Sequence, residues 1–188
     1  AQTTVRRSWI DQNRDSNIYV FGDGALATIE DTIVSRTRLS DDGGGGFNAH
    51  IIGGSSAILR RVVATDPAYS SISVGDGGEV TLEDLTVLGA GIKPDLTSGD
   101  GLHIQGDVLV TVERARIEDV AAQGIALVGQ NTKAVLHDVA IARAGAGDCF
   151  FCSGLCIDAS ARVEDAERIT VDQARGCGVV GVGQDSRR

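Results

Sequence analysis

A six-residue pattern of apolar and charged positions recurs along the whole chain, and residues 82–87, with the sequence LEDLTV, show it most clearly. It consists of an apolar residue, two residues that are nearly always charged, a small or apolar residue, a variable residue, and an apolar residue that is usually β-branched. The pattern starts at residues 5, 29, 59, 82, 112, 136 and 166, so that steps of 23–24 residues alternate with steps of 30. Such a regular internal period indicates a repeat architecture.

Each repeat begins with a short apolar strand, which we call the opening strand; LHI at 102–104 and IAL at 125–127 are examples. Glycine-rich turns follow several of these strands, and a further strand then leads into the six-residue pattern. Because side chains alternate between the two sides of a strand, we expect Val80, Leu82, Leu85 and Val87 in the interior, with an outward bend at the charged pair. No 3.6-residue periodicity typical of an amphipathic helix is present.

Three short strands in each repeat predict an all-β fold, a single-stranded parallel β-helix in which each coil buries its apolar side against the next. We expect one domain over residues 1–188, with about seven coils that are alternately short (23–24 residues) and long (30 residues). A right-handed course is expected because crossover connections between parallel strands are almost always right-handed. The extra residues of the long coils, at 38–49, 89–100 and 144–153, should form loops on one side.

The charges in the pattern provide a test of this register. Residues in the third position alternate in sign at every step: Arg7, Asp31, Arg61, Asp84, Arg114, Asp138 and Arg168. Neighbouring strands lie ~4.8 Å apart, and opposite charges in neighbouring strands attract whereas like charges repel. We therefore interpret this column as a device that sets the register, and we expect Asp84 to lie next to both Arg61 and Arg114.

The overall charge excludes some classes of partner. A formal net charge of −9 argues against nucleic acid and against an anionic membrane surface, because both require a basic face. No apolar run is long enough to cross a bilayer. The sequence begins and ends inside repeats, so we expect a mature product or a piece of a longer chain, with further coils or another chain covering its ends.

The alternation of GLHI-type strands with VTLEDLTV-type strands resembles the right-handed parallel β-helix of the pectate-lyase-like superfamily, over essentially the whole chain. Members of this superfamily include enzymes, adhesins and secreted proteins without assigned activity, so the resemblance alone does not define a function. It implies a secreted or cell-surface protein. It also implies that glycan chains bind along the outward side of the opening strands, which we call the opening face.

One residue of each opening strand should point outward on that face: Tyr19, His50, Ser73, His103, Ala126 and Cys156. His103, His50 and Asp100 are the candidate catalytic residues, because a histidine near its ordinary pKa transfers protons at neutral pH. Two observations favour a non-catalytic interpretation. Equivalent histidines also arise from internal duplication, and the acids are scattered rather than clustered as in the superfamily's calcium-dependent lyases.

The function expected from these observations is a secreted or cell-surface module that binds glycans or serves as a rigid spacer. The alternative is a polysaccharide lyase or a glycoside hydrolase that acts on the opening face, so the sequence leaves open whether the protein is an enzyme. A polysaccharide or cell-surface glycan is the expected partner. No cofactor is expected, except calcium in the lyase alternative.

Four cysteines lie near the end of the chain, at Cys149, Cys152, Cys156 and Cys177. The first two have a spacing that also occurs in half of a tetrahedral metal site, but no second pair with this spacing follows. In a secreted protein, disulfides are favoured over a metal site or free thiols. One possible bridge joins Cys156 to Cys177 on the next coil, although the spacing by itself does not define the pairing.

Overall fold

A computed structural model describes residues 1–91, 99–145, 153–158 and 160–182. Within these ranges the chain forms strands joined by turns and contains no helix, so nothing in them resembles a membrane-spanning helix. The strands are β1 Gln2–Arg6, β2 Trp9–Asp11, β3 Ser16–Phe21, β4 Leu26–Ser35, β5 Phe47–Ile52, β6 Ser56–Thr65, β7 Ile72–Gly75, β8 Glu79–Ala90, β9 Leu102–Gln105, β10 Leu109–Val120, β11 Ile125–Val128, β12 Lys133–Ala142, β13 Ser153–Asp158, β14 Arg162–Asp172 and β15 Cys177–Val182.

These strands form two parallel sheets between which the chain alternates. The first sheet has the order β1-β4-β6-β8-β10-β12-β14, with β2 paired to β4, and the second sheet has the order β15-β13-β11-β9-β7-β5-β3. The second sheet is built from the opening strands, and the first is built from the six-residue patterns. The all-β prediction is confirmed, and the arrangement is consistent with a β-helix-like solenoid.

In the repeats after the first, the second and third predicted strands form one continuous, bent strand, as in β8, whereas in the first repeat they are the separate strands β1 and β2. The bend is a left-handed residue at the third position of the pattern, with φ from 47° at Arg7 to 55° at Arg114. Left-handed backbone is uncommon outside glycine. Because β8 and β10 bend at the same place, as do β4 and β6, the pairing of these strands resumes directly after the bend.

The predicted charge column is present on this bend. Arg114 Nε lies 2.6 Å from Asp84 Oδ1, and Arg61 Nε lies 2.5 Å from Asp31 Oδ1. Arg168 pairs with Asp138 in the same way. The hydrogen bond from Arg114, assisted by the nearby charge of Arg61, lowers the pKa of Asp84. Asp84 therefore has the two expected neighbours, which confirms the predicted register.

The core is a stack of inward-facing side chains, and it includes the four that the alternation predicted. Val80, Leu82, Leu85 and Val87 are at most 1% exposed. Packing is tight where the opening strand β11 begins, because a Cβ atom on Gly124 would lie 2.4 Å from Ile141 Cγ2. Glycine before an opening strand is therefore a packing requirement at this position.

Only one of the three predicted loops lies wholly within the described residues. In the loop at 38–49, an antiparallel bridge joins Leu39 to Gly45, and the side chain of Asp42 accepts a hydrogen bond from the Gly44 N–H. The other two predicted loops contain residues 92–98 and 146–152, which lie outside the described residues. Cys149 and Cys152 belong to the second of these segments.

The suggested bridge between Cys156 and Cys177 is wrong, since both side chains are free thiols. The register explains why: Cys177 is opposite Ser153, and Cys156 is opposite Val180. An offset of three residues separates the two positions by ~10 Å along the strands. A disulfide requires Cα atoms within about 7 Å of each other.

Candidate functional site

The opening face contains the predicted column in the expected order. The strand pairings place Tyr19 beside His50, His50 beside Ser73, Ser73 beside His103, His103 beside Ala126, and Ala126 beside Cys156. All six were expected to point outward, but Ser73, Ala126 and Cys156 are only 5%, 1% and 6% exposed. The accessible groups of the column are therefore Tyr19 and the two histidines.

His103 is held by a buried carboxylate. Its Nδ1 lies 2.8 Å from Oδ2 of Asp100, which is only 3% exposed. Oδ1 of the same carboxylate accepts a hydrogen bond of 3.1 Å from the backbone N–H of Gln123, and this fixes the orientation of the carboxylate. The second ring nitrogen, Nε2, lies 3.3 Å from Oε1 of Gln105, an exposed residue on the same strand.

Two opposing effects act on the pKa of His103. Burial by itself lowers the pKa, because it disfavours the charged ring. The hydrogen bond and the charge of Asp100 outweigh burial, with a further contribution from Gln105, and the net effect is a raised pKa. In the protonated ring, both nitrogens donate to oxygen acceptors, so His103 is suited to carry a proton near neutral pH.

His50 has a different environment. Its ring lies between Phe47, with a centroid distance of 4.4 Å, and Tyr19, with a centroid distance of 5.5 Å. Burial lowers the pKa of His50, although the charges of Asp15 and Asp76 act in the opposite direction. Because the strand of Ser73 separates the two histidines, they lie ~10 Å apart and do not contact each other directly. Opposite pKa shifts in neighbouring groups are typical of acid and base pairs.

An exposed pair of aromatic rings lies at one end of the same face. Tyr19 and Phe21 are 55% and 63% exposed, and their rings stack with a centroid distance of 5.9 Å and an interplanar angle of 12°. We call these two rings the aromatic platform. The ring of Phe21 lies over Gly53, where a Cβ atom would come within 2.8 Å of Phe21 Cε2. Glycine at position 53 therefore makes room for the platform.

Phe47 and Tyr69 extend the aromatic cluster behind the platform, with ring centroids 5.3 Å apart. Sequence reasoning missed Phe21, Phe47 and Tyr69 as parts of the site. Phe21 was detectable, since alternation places it two residues beyond Tyr19 on the same side of the strand. Phe47 and Tyr69 were not, because they meet only when the loop at 38–49 and the segment after β6 fold against each other.

The described residues contain no group of three or more His, Cys, Asp or Glu side chains arranged to hold a metal ion. A polar depression of about 590 Å³ lies at the turns that follow three neighbouring opening strands. Asp76 and Asp107 line it, and Asn131 Nδ2 donates a hydrogen bond of 2.7 Å to Asp107 Oδ1.

Comparison of the chain with protein-family models, with curated proteins and with solved structures found no match.

Proposed function

We propose that the protein is a glycan-binding module whose ligand lies along the opening face. The observation that supports this proposal most directly is the aromatic platform of Tyr19 and Phe21, because two nearly parallel, exposed rings present apolar surface on this face. Exposed apolar surface flanked by polar groups is typical of a binding site. Sugar rings have flat C–H faces that stack on aromatic rings, and His50, His103 and Gln105 offer hydrogen-bonding groups for the hydroxyls.

The same proposal includes the superfamily, the handedness of the fold and the number of coils. We place the chain in the pectate-lyase-like superfamily, as a single right-handed domain of about seven coils that is secreted or on the cell surface. The repeat pattern and the crossover rule for parallel strands support this assignment. In this proposal the sheets form a rigid support, and the opening face is the part that contacts ligand.

The test is a binding screen against soluble polysaccharides by affinity electrophoresis, followed by titration of each ligand found. Tyr19→Ala and Phe21→Ala should each weaken binding about tenfold, because each removes a stacking ring. Trp9→Ala is the matched control. Trp9 is 69% exposed but lies on a strand of the first sheet, so its removal should leave affinity unchanged. Equal affinity of all three variants and the wild type would contradict the proposal.

A polysaccharide lyase or glycoside hydrolase is the second candidate, and the contact between His103 and Asp100 favours it. A buried carboxylate that orients a partly exposed histidine is a usual arrangement for proton transfer. In this candidate His103 exchanges the proton with the glycan, and Asp100 is a positioning residue. His50, with its lowered pKa, is the second proton-transfer group.

A depolymerisation screen distinguishes the two candidates. Unsaturated products are followed by ultraviolet absorbance and new reducing ends by a colorimetric assay, with and without calcium. Any turnover should be lost in His103→Gln and kept in His137→Gln, which alters a histidine–aspartate pair on the first sheet. Binding without turnover by the wild type would support the module and contradict the enzyme.

A further inference from the structure

Among the described strands, lysine and arginine are confined to the first sheet. The seven strands of the second sheet, β3, β5, β7, β9, β11, β13 and β15, contain no lysine and no arginine. The strands of the first sheet contain eight such residues, namely Arg6, Arg60, Arg61, Arg114, Arg116, Lys133, Arg162 and Arg168. Most of those have ion-pair partners on their own sheet, such as Asp84 for Arg114. The arginine that closely precedes β3, Arg14, is paired with Asp41.

The charges on and beside the opening face are mostly negative. Asp158 lies within β13, and the charges of Asp15 and Asp76 act on His50. The basic side chains on the strands of this face are those of two histidines, His50 and His103. The ring of His103 is paired with the Asp100 carboxylate at 2.8 Å.

These observations concern the same face as the proposed function, and the inference rests on that function. We infer that the opening face selects uncharged glycans and rejects polyuronates. A carboxylate brought to the described strands of this face would lose water without gaining a lysine or arginine partner, and it would approach negative charges. The aromatic platform binds a neutral sugar without a cation, because the rings stack on the apolar C–H faces of the sugar.

This specificity can be tested with one polymer in two forms. Fully methyl-esterified polygalacturonan and its de-esterified form share a backbone and differ in charge. Both are titrated by calorimetry in low salt with a chelator present, beside a panel of neutral polysaccharides. We expect neutral or esterified polymers to bind at least about tenfold more tightly than the acid form.

Added salt should reduce the ratio of the affinity for the esterified polymer to the affinity for the acid form, since screening weakens repulsion between exposed charges. Equal or tighter binding of the acid form would overturn the inference and leave glycan binding intact. Tight binding of the acid form only with added calcium would overturn it as well, because an anionic ligand would then occupy the face. Binding of no polymer in the panel would overturn the proposed function and the inference together.

A gain-of-function variant provides a second test. Gln105→Arg adds a cation beside His103 on the exposed edge of the face. It should raise affinity for the acid polymer about fivefold, the effect of one exposed ion pair. Thr170→Arg makes the same change of charge on an exposed position of the first sheet, and it should leave that affinity unchanged. Equal gains in both variants would indicate an effect of net charge alone and would overturn the inference.

Discussion

His103 Nδ1 lies 2.8 Å from Oδ2 of Asp100, and the carboxylate is buried while the ring is partly exposed. This contact joins the interior of the solenoid to the opening face through one hydrogen bond. It makes the protonation state of His103 depend on a residue that solvent does not reach. Several properties of the fold and of the site can be tested from contacts of this kind.

The first prediction concerns pH. The folded protein raises the pKa of His103 above 6.5, so folding favours its protonated form. The stabilisation is fully present below the unfolded pKa and is lost as pH rises through the folded pKa. The difference in free energy of unfolding between wild type and His103→Gln should therefore be largest below pH 6.5 and should shrink as pH rises through the folded pKa of His103, by about 1.4 kcal/mol per unit of pKa shift.

His50 provides an internal control for that measurement. Its pKa is lowered from 6.5 in the folded protein, so stability should fall as pH drops below the unfolded pKa. The free energy of unfolding of wild type relative to His50→Gln should thus increase as pH rises, whereas that of wild type relative to His103→Gln should decrease. Parallel trends for the two variants would show that the pH dependence comes from elsewhere.

The second prediction concerns the charge column. Asp84→Arg places a third cation between Arg61 and Arg114, so it should lower the free energy of unfolding by about 1–2 kcal/mol. For a chain of this size, each 1 kcal/mol corresponds to about 2–4 °C in Tm. Asp84→Asn is the matched variant, since asparagine tolerates the left-handed φ of 52° and removes only the charge. An unchanged Tm for Asp84→Arg would contradict the role in register.

Ionic strength provides a further check on the same variants. Molar salt should reduce the difference in free energy of unfolding between Asp84→Arg and Asp84→Asn. The side chains of Asp84 and Arg114 are 39% and 47% exposed, so dissolved ions screen the charges at this position. A difference that does not change with salt would indicate a steric cause.

The third prediction concerns the tight packing where β11 begins. Gly124→Ala would place a Cβ atom 2.4 Å from Ile141 Cγ2 and 2.6 Å from the backbone oxygen of Gly154. It should destabilise the protein by about 3 kcal/mol or more. At the equivalent Gly178, the nearest atom is 3.9 Å away, and Gly178→Ala should change stability by about 0.5 kcal/mol or less. Denaturant titration of both variants measures this, and equal stabilities would contradict the predicted packing.

The fourth prediction concerns the thiols. Cys177 is exposed, whereas Cys156 is buried and burial raises the pKa of its thiol. Since the thiolate is the reactive form, a soluble alkylating reagent should modify Cys177 in the native protein at least about a hundredfold faster than Cys156. Peptide mass spectrometry after timed labelling measures both rates. Detection of a peptide that links the two cysteines would contradict the register of β13 and β15.

Much of the fold was readable from the sequence, because it depends on short-range patterns. The alternation of apolar and polar residues before and after the bend identified the inward side chains Leu82 and Leu85. The change of sign from Asp84 to Arg114 identified which residues become neighbours. Both patterns recur in every repeat, so the assignment of inward and charged positions in one repeat supports the assignment in the next.

Only part of the candidate site could be predicted from the sequence. The order of Tyr19, His50, Ser73 and His103 along the face followed from the repeats, because equivalent positions of a solenoid lie side by side. The burial of Ser73 did not follow, since exposure depends on what covers a residue. The free thiols of Cys156 and Cys177 also escaped prediction, because a disulfide depends on strand register to within one residue.

The sequence by itself therefore determined the all-β repeat architecture and the candidates His50, His103 and Asp100, since both depend on residue spacing. The tertiary structure decided that Asp100 is buried against His103, that Tyr19 and Phe21 form an exposed platform, and that ion pairs hold the arginines on the other sheet. These properties depend on distances between side chains that lie on different strands or in different turns. Only the folded chain defines those distances.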